Sequence, residues 1–213
     1  IPQDFFAEAV ERGGDRLRPG PIGVGMVFLP KTDFGAQERC RQIVEVEILN
    51  AGYHIYGWRQ VPIDVSCIGE KANATRPEIE QILIWDPENR EPALMERDLY
   101  VIRRRIEKQA IAAQVPELYL CSLSCRSLIY KGMFLAENLT DFYPDLLDSR
   151  FVSRFAIYHQ RYSTNTFPTW RLAQPFRFLA HNGEINTVHG NINWMKSHET
   201  RLAHPLLEIG RAH

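Results

Sequence analysis

An apolar run at residues 22–29, closed at both ends by Pro21 and Pro30, sets the first constraint on the fold. A run that short between two prolines fits a buried strand better than a helix, which needs more residues to form a core-facing stripe. Asp33 then stands where it can cap a helix. Cys40, Ile43, Val44, Ile48 and Ala51 share one helical face, and Gly52 ends it. Strand patterns follow at 53–61 and 79–85. Residues 94–113 place Ile102, Ile106, Ala110 and Ala113 at helical spacing. The stretches 118–123 and 127–130 read as the two arms of a hairpin, and 151–159 and 176–181 as further strands. A last helix, capped by Asn186 or Thr187, has Val188, Ile192, Met195 and Leu202 as its inner face. Strands in direct succession, mixed with strands separated by helices, argue against a regular parallel βαβ array. They predict an α+β or layered α/β/α domain. The pair Gly23-Val24-Gly25 lies inside a strand rather than after one, so it is a weak match to a dinucleotide-binding turn.

Composition narrows the function. The 213 residues are 45% hydrophobic and 24% charged, enough for one well-cored domain. A net charge of -1 supplies no basic surface for nucleic acid or an anionic membrane. The cluster Arg103, Arg104, Arg105 has Glu96 and Glu107 nearby and reads as a solvated helix face. No apolar run approaches the roughly 20 residues of a membrane span, and the opening Ile1-Pro2-Gln3-Asp4 does not resemble a secretory signal. That opening reads as the middle of a domain, and a fragment is expected. Cys40, Cys67, Cys121 and Cys125 show no paired C-x-x-C spacing, so no zinc site is expected. They read as reduced cytosolic thiols, with Cys121 and Cys125 in the core.

The chemistry is concentrated in residues 151–196. Arg161-Tyr162-Ser163-Thr164-Asn165 follows the strand pattern at 151–159. A guanidinium fork matches a carboxylate with two parallel bonds, and neighbouring hydroxyls add donors. Taken alone, the same arginine reads as a surface ion pair at a strand end. His181-Asn182-Gly183-Glu184 follows the next apolar stretch. Asn-Gly is by default a turn. An Asn amide beside a Gly N–H also supplies the two fixed donors of an oxyanion hole.

The two motifs in this order resemble the class II glutamine amidotransferases, glutaminases of the N-terminal nucleophile hydrolase group. The fuller text RYSTNTFPTWRLAQPFRFLAHNGEINT with GNINWM, and the stretches LYVIRRRIE and LIYKGMF, resemble the glutamate synthase family within that group. The resemblance covers essentially the whole chain. It implies an α+β domain, the layered α/β/β/α sandwich of N-terminal nucleophile hydrolases in incomplete form, with residues 1–213 as part of one amidotransferase domain. It implies that Arg161 holds the α-carboxylate of L-glutamine with Ser163 or Thr164 assisting. Asn182 and Gly183 then form the oxyanion hole, and Tyr162 packs beside the pocket or serves structure alone. His181 is expected to be structural and Glu184 a loop or solvent partner. Phe167, Pro168 and Trp170 are expected to shape the core or the substrate loop, and His159, His189 and His198 bind no metal.

In the family an N-terminal cysteine attacks the glutamine amide. Its own α-amino group, with an unperturbed pKa of about 7.7–8.0, takes the thiol proton. Residue 1 here is Ile. The expectation is therefore a chain truncated at both ends, without the nucleophile or the carboxylate that holds the glutamine α-amino group, and inactive by itself. The full-length enzyme is expected to pass ammonia to a second domain that aminates 2-oxoglutarate with FMN and an iron–sulfur cluster. Its electrons come from an NAD(P)H-linked donor subunit or ferredoxin, and none of these cofactors is expected in this segment. The implied compartment is the cytoplasm, or the plastid of a photosynthetic eukaryote. Two alternatives stay open: another class II amidotransferase, and a non-catalytic module that binds glutamine or glutamate.

Overall fold

The computed structural model describes residues 1–160, 167–176, 179–180 and 187–201. The chain divides into two compact units, Ile1–Ala180 and His181–His213. In the first, α1 (Gln3–Arg12) precedes β1 (Gly23–Leu29), α2 (Phe34–Asn50), β2 (His54–Gln60), α3 (Glu70–Ala74), β3 (Glu78–Trp85), α4 (Pro92–Ala112), β4 (Tyr119–Ser124) and α5 (Leu139–Phe142). The second contains α6 (Val188–Glu199).

The expected boundaries have local causes. The Asp33 carboxylate accepts a hydrogen bond from the Ala36 N–H at 2.8 Å, closing the first turn of α2. Gly52, at φ +82°, reverses the chain where a side chain would strain it. Pro92 opens α4 at a position that needs no N–H.

The four strands form one sheet in the order β2-β3-β1-β4, each antiparallel to its neighbour. Since β1 and β2 both run antiparallel to β3, they are parallel to each other. By the same reasoning β3 and β4 are parallel, each lying antiparallel to β1. The segments β1-α2-β2 and β3-α4-β4 are therefore two interlocked split β-α-β units, with α2 and α4 packed together on one face. This is an α+β domain. Of the α/β/β/α layers, the described residues supply one helical layer and one sheet. The opposite face is covered by α1 and by the segment after β4, neither of which is a strand.

Cys40, Val44 and Ile48 of α2 and Met95, Leu99, Ile102 and Ile106 of α4 bury their side chains against Val27, Leu29, Ile82 and Ile84. Gly23 and Gly25 make that approach possible. A Cβ on Gly25 would lie 2.7 Å from Ile82 Cγ2, and one on Gly23 would lie 2.9 Å from Met95 Cε. Packing accounts for this glycine pair. In β2 the register shifts between Ile55 and Gly57, and Gly57 sits at φ +152°. The bulge lets Ile55 and Trp58 both pack on the helical face while Arg59 turns to the other.

Two expected strands are absent. Residues 127–130 do not pair with β4, whose ladder partner is β1. The Ile129 N–H instead donates to the Ser122 hydroxyl at 3.3 Å, so a side chain takes the place of a ladder bond. Residues 151–159 are irregular and mostly exposed, and Phe155 is 70% accessible. At 176–181, Phe176 and Leu179 exchange two backbone bonds of 2.8 Å in a tight isolated bridge, and residues 177, 178 and 181 lie outside the described residues. The last helix forms at 188–199 after Thr187, whose side chain makes no capping bond. Val188, Ile192 and Met195, the expected inner face, are between 43% and 50% exposed, and Leu202 lies outside the described residues.

All four cysteines are free, and Cys40, Cys121 and Cys125 are buried. Burial pushes Cys40 up to about 11 and Cys121 and Cys125 up to about 12. A thiol that ionises more readily unfolded than folded contributes stability that is lost as pH rises from its unfolded value toward its folded one. Stability is therefore expected to fall between pH 9 and about 11–12, the window set by the ordinary thiol value of 9.0 and these raised values. Lys131, pushed down to about 8 by burial, acts in the opposite sense between there and 10.5. Urea titrations of the wild type and Cys121→Ala across this range check it. Removing the thiol should make the decline shallower by up to about 1.4 kcal/mol per pH unit; parallel curves contradict it.

Candidate functional site

Between the two motifs the described residues are 167–176 and 179–180, and two buried anchors hold residues 170–176 on the sheet. Trp170, only 4% exposed, donates its indole N–H to the Ala72 carbonyl of α3 at 3.0 Å. Its ring packs against Phe28 of β1 and Phe142 of α5, with centroids 6.3 and 5.5 Å away. The expectation that Trp170 shapes the core fits this placement, whereas Phe167 and Pro168 are exposed. Gly132 is what admits the indole: a Cβ there would sit 2.5 Å from Trp170 Cζ3 and 2.4 Å from Phe134 Cε1.

The second anchor is Lys131, a lysine 3% exposed. Its ammonium donates to the Tyr119 hydroxyl and to the Arg171 carbonyl, each at 2.9 Å. It also lies 4.6 Å from the centroid of the Tyr119 ring and 4.5 Å from that of Phe176. The Tyr143 hydroxyl donates to the Lys131 carbonyl at 2.9 Å, fixing the backbone below the amine. Burial is the main cause of the lowered Lys131 pKa; the nearby Cys121 opposes it, and Arg103 and Arg171 add to it. Sequence reasoning saw Lys131 only as part of the stretch LIYKGMF. The available signal was a lone cation among Ile129, Tyr130, Met133 and Phe134.

A polar network occupies the sheet face away from α2 and α4. Arg59 donates to both carboxylate oxygens of Asp145, at 2.8 and 2.6 Å, and to Gln81 Oε1 at 2.9 Å. The Tyr130 hydroxyl donates to Asp145 at 2.8 Å and accepts from Gln81 Nε2 at 2.9 Å. Burial and the Asp145 carboxylate push the Tyr130 phenol well above its usual range. An open cleft of about 480 Å³ adjoins this network, with Arg12, Arg59 and Arg150 among its lining residues. Each of these arginines is already paired with Glu8, Asp145 or Asp148. Of the basic cluster on α4, Arg103 and Arg104 both pair with Glu107, Arg103 half-buried and Arg104 exposed, whereas Glu96 turns away to Ser124 and the Cys125 N–H.

Arg161, Tyr162, Ser163, Thr164, His181, Asn182, Gly183 and Glu184 lie outside the described residues. Among the described residues no group of three or more His, Cys, Asp or Glu side chains could hold a metal ion. Burial is the main cause that raises all four thiols above their ordinary value. Among the described residues no helix is long and apolar enough to cross a membrane.

Comparison with known proteins decides the family. Residues 1–211 match the family described as glutamine amidotransferases class-II. The chain belongs to the class II glutamine amidotransferases. This amidotransferase chain is 66% identical, over 96% of its length, to the glutamate synthase [NADPH] large chain of Azospirillum brasilense. It is 46% identical over 97% of its length to the chloroplastic ferredoxin-dependent glutamate synthase of Spinacia oleracea. Over 89% of its length it is also 46% identical to the ferredoxin-dependent glutamate synthase 2 of Synechocystis. It spans 14%, 13% and 12% of these relatives respectively, about one seventh or less of their length.

Proposed function

We propose that this chain is part of the glutaminase domain of a glutamate synthase, residues 1–213 forming a single partial amidotransferase domain. The observation that carries the reading is the succession of Arg161-Tyr162-Ser163-Thr164 and His181-Asn182-Gly183 in a chain of the class II family. Arg161 grips the α-carboxylate of L-glutamine bidentately, and Ser163 or Thr164 donates a further bond. The sulfur of the family's N-terminal cysteine attacks the side-chain carbonyl carbon, and the cysteine α-amino group takes the thiol proton. The Asn182 amide and the Gly183 N–H stabilise the negative oxygen that forms. The C–N bond breaks, ammonia leaves with a proton, and water then cleaves the γ-glutamyl thioester to glutamate. None of Cys40, Cys67, Cys121 or Cys125 takes the nucleophile's part, since each is raised in pKa and none carries a free α-amine.

In the full-length polypeptide the ammonia is delivered to a 2-oxoglutarate-aminating domain that uses FMN and an iron–sulfur cluster. The described residues here offer no ligand set for either cluster or metal. NADPH and ferredoxin appear in the names of its relatives and are the two candidate electron sources. The compartment that fits this assignment is the cytoplasm or a plastid.

Arg161→Lys in the full-length polypeptide tests the binding half of the site. Lysine keeps the charge and loses the planar fork. A carboxylate held equally in the ground and transition states is lost as uniform binding, so KM for glutamine should rise about tenfold with a smaller change in kcat. A normal KM with a lowered thermal midpoint makes Arg161 a structural ion pair instead.

A further inference from the structure

An ammonium taken out of water loses its hydration, and its charge stays costly unless a counter-charge meets it. Lys131 is 3% exposed. The titratable and charged groups that act on it are Tyr119 and Cys121 of β4, Arg103 of α4 and Arg171. Among the described residues these include two guanidiniums and no carboxylate. The stretch 171–176 meets the amine at both ends, through the Arg171 carbonyl at 2.9 Å and the Phe176 ring centroid at 4.5 Å. The Arg171 guanidinium lies 5.2 Å from the centroid of the Tyr119 ring. This stretch belongs to no helix or strand. The Leu172 and Ala173 N–H groups both donate to the Thr169 carbonyl at 3.1 Å, which folds its start into a turn of its own. Both hydrogen bonds of Lys131 survive loss of a proton. A neutral amine donates to the Arg171 carbonyl and accepts from the Tyr119 hydroxyl. The extra proton therefore brings a buried charge and no bond that the neutral amine lacks.

We propose that residues 171–176 are a proton-linked strap: lifting them from β4 brings the Lys131 amine to water, where it takes up a proton, so the strap lies more firmly closed as pH rises. Trp170, whose indole N–H is held by the Ala72 carbonyl, is the hinge end that stays on the sheet. With the strap closed, burial pushes the amine down to about 8; Cys121 opposes the shift, and Arg103 and Arg171 add to it. In water its ordinary value is 10.5. Between these two values the closed form binds fewer protons than the open one. Linkage then makes closure more favourable as pH rises through the lower value, and the gain is complete at the upper one. The neighbours leave this window clear. Burial raises the Tyr119 hydroxyl above its usual range, and it raises the Cys121 thiol from 9.0 to about 12. Arginine keeps its charge throughout. The device is independent of the amidotransferase reading.

Hydrogen exchange at the Leu172 and Ala173 amides of the full-length polypeptide tests it, with each rate divided by the base-catalysed rate of an unprotected amide. Protection should rise about tenfold between about pH 7 and 9 and stay level between about pH 6 and 7. Lys131→Met is similar in length and has no proton to gain, so its protection should be constant across the whole range. Level protection in the wild type overturns the proposal, and so does the same rise in Lys131→Met. If Lys131→Met does not fold, the wild type is labelled with trace acetic anhydride and modification of the Lys131 amine is followed against pH. Acetylation passes through the open strap, and its rate follows the neutral fraction of the closed form. It should be half-maximal near the lowered value of about 8 and level off above it. A rate that keeps climbing toward 10.5 overturns the proposal.

Discussion

Replacing Asn182 by alanine in the full-length polypeptide should lower kcat for glutamine hydrolysis by roughly 10²–10³, with KM for glutamine nearly unchanged. The asymmetry follows from when the donor is used. In the bound substrate the side-chain carbonyl oxygen carries only partial charge. As the sulfur adds, that oxygen would gain a full charge, and a fixed amide N–H is then worth far more. In the role proposed for it, Gly183 would supply the second donor from its backbone, which substitution cannot delete, so the expected loss is bounded. An unchanged kcat reduces Asn182-Gly183 to a turn.

A loss of about 3–5 kcal/mol is expected for Asp145→Ala. The Asp145 side chain is 4% exposed and accepts two bonds from Arg59 and one from Tyr130. Its removal leaves a guanidinium facing the sheet with no counter-charge and a phenol without its acceptor. Asp145→Asn keeps the shape and one acceptor and should lose about half as much. Hydrogen exchange at the amides of β2 and β3 reads the change where it acts, on the two strands that carry Arg59 and Gln81. Protection in Asp145→Ala within about 1 kcal/mol of the wild type contradicts a structural role for the network.

The parts of the fold set by neighbours in sequence were legible. The apolar run at 22–29 became β1, the Asp33 cap began α2, and Gly52 ended it. What depends on distant partners was not. The order β2-β3-β1-β4 joins strands far apart in the chain, and no local pattern states which neighbour each will choose. The stretch 127–130 has strand-like residues, yet Ser122 takes the Ile129 N–H and β1 takes the edge of β4. The helix α1 carries no capping side chain at Pro2, so no local start signal marks it. The candidate site stands in the sequence as two motifs of adjacent residue types, and both lie outside the described residues. Lys131 escaped that reading, since its role comes from burial and from contacts 12 and 40 residues away.

The most direct measurement of the central claim follows the amide nitrogen. The full-length polypeptide is supplied with glutamine labelled with ¹⁵N at the side-chain amide, together with 2-oxoglutarate and reductant. The account predicts that label appears in the α-amino group of newly formed glutamate. It also predicts that Asn182→Ala slows this transfer by the same roughly 10²–10³ while still incorporating labelled ammonium. No transfer of label by the wild-type protein, or equal transfer by Asn182→Ala, contradicts it.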